Sequence, residues 1–432
     1  MKSFAPFYLF TFLKSFEPIT PFTASYLINS KKFRNTDIYN KIIPVFFYSS
    51  LISIFFTIFV VHRLTSRFTM VLSSALEAAY LLLLFLMPPN SFPAVYLATF
   101  MHSMSTMFFS FSAVYPSIFA RSLYSDGARR RETVANVSNF KRGGAILASM
   151  LGQNLYMHSG TQTPNFLVSA LCTTAALLAS LSMQSIKSTD KSVMQIFGER
   201  GLEALRAVYS GDTVFYSAMH IVSTTIYMSF NMFAASIFIE KKRDSEVPQI
   251  VLTAIKVATF PIQIFTEIFM QIYNYFAKSE KKNLHKKEII FFGYIDSLSK
   301  IFGIVATHFL VKIKIENLKL AKAAAICYGL ALMLSMFFMS KSNSLALCYL
   351  IYVVGYSIAQ TSQITSKNGV YNSSGKFMKI VISINLFIES LLHILISWVT
   401  KYFKMSVSQK LLCYFLFCVP FLILSIVLLI FN

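Results

Sequence analysis

The residues of this chain that could do chemistry are a few charged side chains inside long apolar stretches. They are Lys14, Glu17, Glu77, Asp296, Lys300 and Glu389. An ionised side chain in the hydrocarbon core of a membrane costs roughly 3 kcal/mol or more, so such residues usually face a water-filled cavity or a partner. The pattern indicates one of two roles, which are contact with a charged solute or ion pairing that only holds helices together.

The first apolar run, residues 12–27, contains the clearest case. Lys14 and Glu17 are three residues apart, which puts them on one face of a helix. Pro18 and Pro21 remove two backbone donors, and this is tolerated at membrane depth only where neighbouring helices or water satisfy the freed carbonyls. The run therefore predicts a cavity wall in which Glu17 touches a solute. The alternative is a Lys14–Glu17 ion pair that only packs the helix.

Composition defines the class of protein. The chain has 432 residues, of which 55% are hydrophobic and only 13% are charged, too few charges to cover the surface of a soluble protein of this length. The 39 Lys and Arg residues outnumber the 18 Asp and Glu residues, but they lie in short segments between apolar runs. This is typical of membrane-flanking charge and does not indicate nucleic-acid binding. The sequence predicts a multi-pass membrane protein, which we expect in the plasma membrane.

Motifs for catalysis or metal binding are not found in the sequence. All five cysteines lie in apolar runs without a CxxC pair, and the histidines of the predicted spans share no metal-ligand spacing. Most of these histidines are expected to pack or to form interhelical hydrogen bonds. We expect no metal, no cofactor and no enzymatic activity.

Stretches of about 20 apolar residues divide the chain into candidate spans. Six lie in residues 1–186, a polar cytoplasmic linker follows at 187–212, and up to seven lie in 213–432. This is the outline of a two-lobed secondary transporter. The extra candidate, 249–276, has a polar stripe that fits either a cavity-lining span or a helix in the membrane interface. The segment 121–142, with six basic residues, is predicted to be a cytoplasmic loop.

Five stretches resemble sequence elements of one known family. The stretch 16–27, FEPITPFTASYL, is similar to its "SEPFLTPYL" element, and 42–51, IIPVFFYSSL, is similar to "IFPVWTYSYL". Further on, 145–153 ends like "GSVLGQ", 291–303 resembles "YNGAVEAxSTLLG", and 382–394 resembles "VFGINTFIALxxQT". In this order the elements make the chain resemble the reduced folate carrier and thiamine transporter family, a branch of the major facilitator superfamily.

The resemblance implies a fold and a function. The fold is an all-α membrane protein with twelve transmembrane helices in two six-helix lobes, the major facilitator fold. It leaves 249–276 as an extra amphipathic segment that does not cross the bilayer. The function implied is a vitamin carrier that works by alternating access in the lipid bilayer, without covalent chemistry.

Several positions match residues of the family's substrate site. Glu17 falls on the first-span glutamate, which in the thiamine branch faces the cationic substrate. Phe46 and Tyr48 fall on aromatic positions of the second span, Asp296 on an acidic position of the eighth, and Asn385 on an asparagine of the eleventh. The resemblance implies that these positions face the solute.

Other positions depart from the family pattern. Phe111 stands at the fourth-span position whose charge distinguishes the thiamine branch from the folate branch, although Tyr115 nearby keeps an aromatic hydroxyl. Phe292 replaces the asparagine of "YNG", and His393 takes the place of the folate branch's lysine in the eleventh span. Phe111, Tyr115 and Phe292 remain in the predicted substrate-binding set, but the substrate cannot be inherited from them.

Charge favours a cation as the substrate. Within the predicted spans four acids face two bases, and each lysine lies three or four residues from an acid. The surplus suits thiamine, which Phe and Tyr rings would also bind through cation–π contacts of about 0.5–2 kcal/mol. A folate or another organic anion, which needs fixed cations, is the alternative within the class. A non-transporting, receptor-like membrane protein is the alternative outside it.

Five residues are candidates for ion coupling or ion pairing. They are Lys14, Glu77, Lys300, Glu389 and His393. A carboxylate in an apolar span is readily protonated, which suits proton coupling. For Glu77, a protonated acid that only bonds to a neighbouring helix is an equal alternative, and for Glu389 it is the favoured one.

Overall fold

Long helices make up nearly all of the described chain. The computed structural model describes residues 4–63, 65–112, 127–183, 206, 209, 211–241, 292–312, 318–374 and 378–431. Within these residues the long helices form twelve segments, the first of them in two pieces. Eight helices are long and apolar enough to cross a membrane by length and composition alone. The predicted twelve-helix membrane protein is confirmed.

The first six spans form one lobe. Its helices are α1 (Ala5–Ser15), α2 (Thr23–Asn29), α3 (Ile43–Arg63), α4 (Ser66–Leu86), α5 (Phe92–Ser112), α6 (Gly127–Ser159) and α7 (Thr163–Leu181). A helical turn, Asn35–Asp37, and a π-helical turn, Ile38–Ile42, lead directly into α3. Within the lobe, α1 packs against α6 and α7, and α4 packs against α5 and α7.

The other six spans form the second lobe. Its helices are α8 (Asp212–Lys241), α9 (Phe292–Lys312), α10 (Leu318–Lys341), α11 (Leu345–Ser374), α12 (Met378–Tyr402) and α13 (Val407–Phe431). Here α8 packs against α11 and α13, and α9 packs against α11. The segment 249–276 and nearly all of the linker 187–212 lie outside the described residues. The domain boundaries therefore stay a prediction.

Two prolines break the first span where the sequence predicts a cavity wall. Helix α1 ends at Ser15, and helical structure resumes only at the 3₁₀ turn Thr20–Phe22 that leads into α2. The side chain of Ser169 on α7 accepts a hydrogen bond from the freed Ile19 N–H, at 3.2 Å. Helix α6 approaches the break closely, since a Cβ at Gly152 would lie 2.5 Å from the Pro18 carbonyl oxygen.

Helix α6 corrects the predicted cytoplasmic loop. The segment 121–142 was expected to be a loop, but α6 begins at Gly127, so residues 127–142 are helical. The reason is that no proline or glycine lies between Gly127 and Gly143, and α6, at 33 residues, is longer than the roughly 20 residues that a bilayer requires. Lys141 and Arg142 therefore lie inside a helix that faces the middle of the bundle.

The two lobes meet along two helix pairs, α6 with α9 and α3 with α12. Between α6 and α9, the Gly293 N–H donates to Gln153 Oε1 at 3.0 Å, and the Tyr294 hydroxyl donates to Asn154 Oδ1. Gly293 is needed for this approach, because a Cβ there would lie 2.5 Å from the Ser149 carbonyl oxygen. Polar side chains thus join the lobes along this pair.

The lobes also touch at the end of the bundle where α3 begins and α13 begins, which we call the Lys410 end. The Phe47 ring of α3 stacks on His393 of α12, with centroids 4.0 Å apart. The buried ammonium of Lys410 donates to the Tyr39 carbonyl oxygen at 3.0 Å and to Asn40 Oδ1 at 2.9 Å. These contacts join the lobes at this end.

Candidate functional site

A cavity of about 200 Å³ lies beside the break in the first span. It is lined by α1, α4, α5 and α6 of the first lobe and by α9 of the second. Its titratable lining residues are Lys14, Glu17, Glu77, His102, Lys141 and Lys300, and Thr20, Thr106, Phe109 and Ser149 are also part of the wall. A polar space between two lobes is where a transporter of this architecture binds its solute.

Four titratable side chains of the first lobe form a continuous network. Lys14 Nζ lies 3.1 Å from Glu77 Oε2 and 3.6 Å from Glu17 Oε1, and it donates to Ser105 Oγ at 3.2 Å. The other oxygen of Glu77, Oε1, lies 2.9 Å from His102 Nδ1. We call these four residues, Glu17, Lys14, Glu77 and His102, the Lys14 network.

Members of the Lys14 network differ in their access to the cavity. The side chains of Lys14 and Glu77 are 4% and 2% exposed, whereas those of Glu17 and His102 are 11% and 30% exposed. Glu17 Oε2 also accepts a hydrogen bond from Thr20 Oγ1 at 3.2 Å. All four residues line the cavity, with Lys14 and Glu77 the more buried and Glu17 and His102 the more accessible.

A second ion pair, on α9, is joined to the first lobe by hydrogen bonds. Lys300 contacts Asp296 one turn earlier on α9, and Asp296 Oδ2 accepts a hydrogen bond from Ser149 Oγ of α6 at 2.6 Å. The Tyr352 hydroxyl donates to Asp296 Oδ1 at 3.2 Å, and Lys300 Nζ donates to Ser149 Oγ at 3.1 Å. Lys300 lines the cavity, while Asp296 lies behind it.

Lys141 is the cation that sequence reasoning missed. Its side chain is exposed on the cavity wall, with Nζ 4.6 Å from the centroid of the Phe109 ring. Within the described residues no carboxylate lies within ion-pair distance of Lys141. Its neighbour Arg142 is buried and donates to Thr307 Oγ1 on α9 at 3.0 Å. The sequence signal for Lys141 is the absence of proline and glycine between Gly127 and Gly143, which favours a helix. Hydropathy alone assigns the same segment to a loop.

The two cations of α6 correct the predicted charge balance. Adding Lys141 and Arg142 to the six charged residues of the predicted spans gives four acids and four bases. On the cavity wall itself three lysines stand against the two carboxylates of Glu17 and Glu77. The acidic surplus that favoured a cationic substrate is therefore absent in the described residues.

Of the predicted aromatic contacts, those in α3 lie off the cavity wall. Phe46 is buried, and its ring lies 5.8 Å from that of His102, so it supports the wall from behind. Tyr48 is exposed, and its hydroxyl accepts a hydrogen bond from the indole of Trp398 on α12. Phe46 and Tyr48 lie on opposite faces of α3, because two residues of an α-helix correspond to about 200° of rotation.

The remaining predicted aromatic positions do not line the described cavity. Phe292 is buried at the start of α9, where its ring centroid lies 5.5 Å from that of Phe238 and 5.9 Å from that of Tyr352. The side chain of Phe111 and all of Tyr115 lie outside the described residues.

Three predicted residues of α12 have their polar partners within the second lobe. Asn385 donates to Ser217 Oγ of α8 at 3.2 Å. Glu389 Oε1 lies 3.9 Å from His393 Nε2, and His393 Nδ1 shares a hydrogen bond of 2.8 Å with the Tyr414 hydroxyl. The structure therefore separates Glu389 and His393 from Glu77, with which sequence reasoning grouped them.

Solved structures with the same fold are named as transporters. One, the nucleoside transporter NupG, superposes with a TM-score of 0.60 at 13% identity, covering 98% of this chain and 99% of that one. Another, from a study of proton dependent oligopeptide transporters, has a TM-score of 0.58 at 10% identity, covering 99% and 96%. No family model matches the chain, and no curated protein matches its sequence. The major facilitator fold is confirmed, and the folate and thiamine branch stays a resemblance.

Proposed function

We propose that this chain is a secondary transporter that carries a small organic anion, with a carboxylate or phosphate group, by alternating access. The observation that carries the proposal is Lys141, a cation on the cavity wall with no acid partner in the described chain. An ammonium at membrane depth needs a counter-charge or water. A solute anion supplies that counter-charge when it enters the cavity.

The position of the lysines fits alternating access. Lys141 belongs to the first lobe and Lys300 to the second, and both line one cavity. A bound anion would be attracted by both lobes at once, so binding energy would favour states in which the lobes approach each other around it. The Phe109 ring, which flanks Lys141, offers a surface on which a heterocycle could stack.

The chemistry narrows the solute to a class. The cavity, at about 200 Å³, is smaller than the roughly 300–1,000 Å³ typical of drug-sized ligands. A cavity of this volume takes a small anion or the charged end of a larger one, and folates are the anionic vitamins that the family resemblance suggests. We place the protein in the plasma membrane as part of the same proposal.

A thiamine-like cation is the second candidate. The Glu17 carboxylate lines the cavity and lies 3.6 Å from Lys14, farther than the 3.1 Å between Lys14 and Glu77. Glu17 is therefore the acid of the Lys14 network that a cationic solute could engage with the least disruption. This candidate predicts transport that depends on Glu17 and does not depend on Lys141.

The test is uptake of labelled folate and labelled thiamine into proteoliposomes. We expect folate uptake by the native chain and a loss of about 10- to 100-fold in Lys141→Gln, because a hydrogen bond to a charged group contributes about 1.5–3 kcal/mol. Lys401→Gln, which removes an exposed lysine at the end of α12, is the matched control and should transport normally.

The alternative outcomes separate the candidates. Thiamine uptake that Glu17→Gln abolishes and Lys141→Gln spares would overturn the anion proposal in favour of the cation. Binding of either vitamin without any flux would instead indicate a receptor-like protein. Folate uptake that is equal in Lys141→Gln and the native chain would remove Lys141 from the site.

A further inference from the structure

The Lys14 network contains one imidazole ring, that of His102, whose protonation changes the charge of the network. When Glu17 and Glu77 are ionised and Lys14 is protonated, the network has a net charge of −1 with a neutral His102. Protonation of His102 brings the network to zero. Histidine is the side chain that ordinarily changes charge between pH 5 and 8, so this step is within reach of physiological pH.

The environment of His102 holds the ring in place for this step. Its Nδ1 lies 2.9 Å from Glu77 Oε1, and its ring centroid lies 4.5 Å from that of Tyr80 and 5.8 Å from that of Phe46. A neutral imidazole that donates from Nδ1 to the carboxylate leaves Nε2 free to accept a proton. The histidine side chain is 30% exposed, whereas Glu77 is 2% exposed, so cavity water reaches His102 more readily than it reaches Glu77.

The titratable groups that face His102 come from two neighbouring elements. Glu77 and Tyr80 are on α4, and Lys14 and Glu17 belong to the first span. From α3, the contact is the apolar ring of Phe46. Lys141 and Lys300 stand across the same cavity. The charges nearest to the ring are thus the two carboxylates and the one lysine of the network.

A solute anion in this cavity would feel the charge of the network. The net charge of −1 opposes an anion at Lys141 and Lys300, and protonation of His102 removes that opposition. Binding linkage is reciprocal, so an anion that binds better when His102 is protonated must also strengthen the binding of the proton.

We propose that His102, held by Glu77, is a proton-binding site whose proton is taken up together with the anionic solute, which makes the chain a proton–anion symporter. This inference rests on the proposed function and adds the coupling ion to it. The step balances simply, since one proton moves from water to Nε2 when the solute binds and returns to water when it leaves. No bond of the solute changes.

The first test measures folate affinity of the purified native chain as a function of pH, by thermal shift. With one linked proton we expect the affinity to fall by up to about tenfold for each pH unit above the titration of His102. An affinity that does not change from pH 5.5 to 8 would overturn the inference while leaving anion binding intact.

The second test uses proteoliposomes with and without an inward proton gradient. The native chain and His158→Gln, which changes an exposed histidine at the end of α6, should take up folate several-fold faster with the gradient. In His102→Gln the ratio of the two rates should fall to about one, and this ratio is insensitive to a general loss of activity.

The outcomes keep the two proposals distinct. Folate uptake that is driven by the gradient equally in His102→Gln and the native chain overturns the role of His102 alone. Folate uptake that ignores the gradient in the native chain overturns symport and leaves an anion carrier. Absence of folate binding and uptake at every pH overturns the anion proposal, and proton coupling with it.

Discussion

Two acid–histidine pairs lie inside the described part of the bundle, and their surroundings differ. Glu77 and His102 belong to a network in which Lys14 balances a carboxylate at 3.1 Å. Glu389 and His393, on α12, are 3.9 Å apart at their nearest atoms, and in the described structure neither Glu389 Oε2 nor His393 Nε2 has a hydrogen-bond partner. Both acids are nearly fully buried, so burial alone does not tell whether a carboxylate carries charge.

The comparison assigns different charge states to the two acids. An ionised carboxylate is expensive to bury unless a cation or several hydrogen bonds compensate it. Glu77 has such compensation from Lys14 and His102, so we expect it to be ionised. Glu389 has none within the described residues, so we expect a neutral carboxylic acid. Three substitutions test this difference.

The largest effect is expected for Lys14→Met. This change leaves the buried Glu77 carboxylate without its cation, and breaking a buried ion pair from one side costs about 3–5 kcal/mol. Denaturant unfolding of the protein in detergent micelles measures the loss. Lys401→Met, at an exposed position, should change the free energy of unfolding by less than about 0.5 kcal/mol. A loss below 1 kcal/mol in Lys14→Met would mean that Glu77 is not ionised.

A smaller effect is expected for Glu77→Gln. The amide keeps a hydrogen bond with His102 but loses the charge-assisted contact with Lys14, so the expected loss is about 1.5–3 kcal/mol. The same substitution should cost less in a Lys14→Met background, since the two residues share one interaction. Additive losses in this double-mutant cycle would contradict the network.

The smallest effect is expected for Glu389→Gln. If Glu389 is already neutral, the amide replaces a neutral group of the same shape, and the free energy of unfolding should change by less than about 1 kcal/mol. The same unfolding experiment measures it. A loss as large as that of Glu77→Gln would show that Glu389 is ionised, and the two pairs would then be alike.

The sequence predicts the fold well because hydropathy and proline act locally. Apolar runs of membrane length indicate all twelve helical segments of the described structure and a thirteenth candidate, 249–276, which lies outside the described residues. Pro18 and Pro21 indicate the break in the first span, since each proline acts on its own helix. The start of α6 is missed, because a hydropathy window excludes Lys141 and Arg142 although the helix continues through them.

The candidate site is only partly predictable because it depends on contacts between helices. Lys14 and Glu17 can be paired from their spacing, whereas the contact between Glu77 and His102 joins two helices and has no signal in one sequence. The position of Tyr48 shows the same limit, because a resemblance gives the residue type but not the direction in which the helix turns it.

The contact of Lys410 has a consequence for how the lobes separate. Its ammonium is held by a carbonyl and an amide oxygen of the first lobe, both of which are uncharged. Separation of the lobes at this end would hydrate one lysine, and it would leave no carboxylate unpaired in an apolar environment. Dissolved ions screen the contact between an ammonium and a neutral oxygen less than they screen an ion pair. The Lys410 contact should therefore persist at high ionic strength, and the two lobes should still separate there without a large barrier.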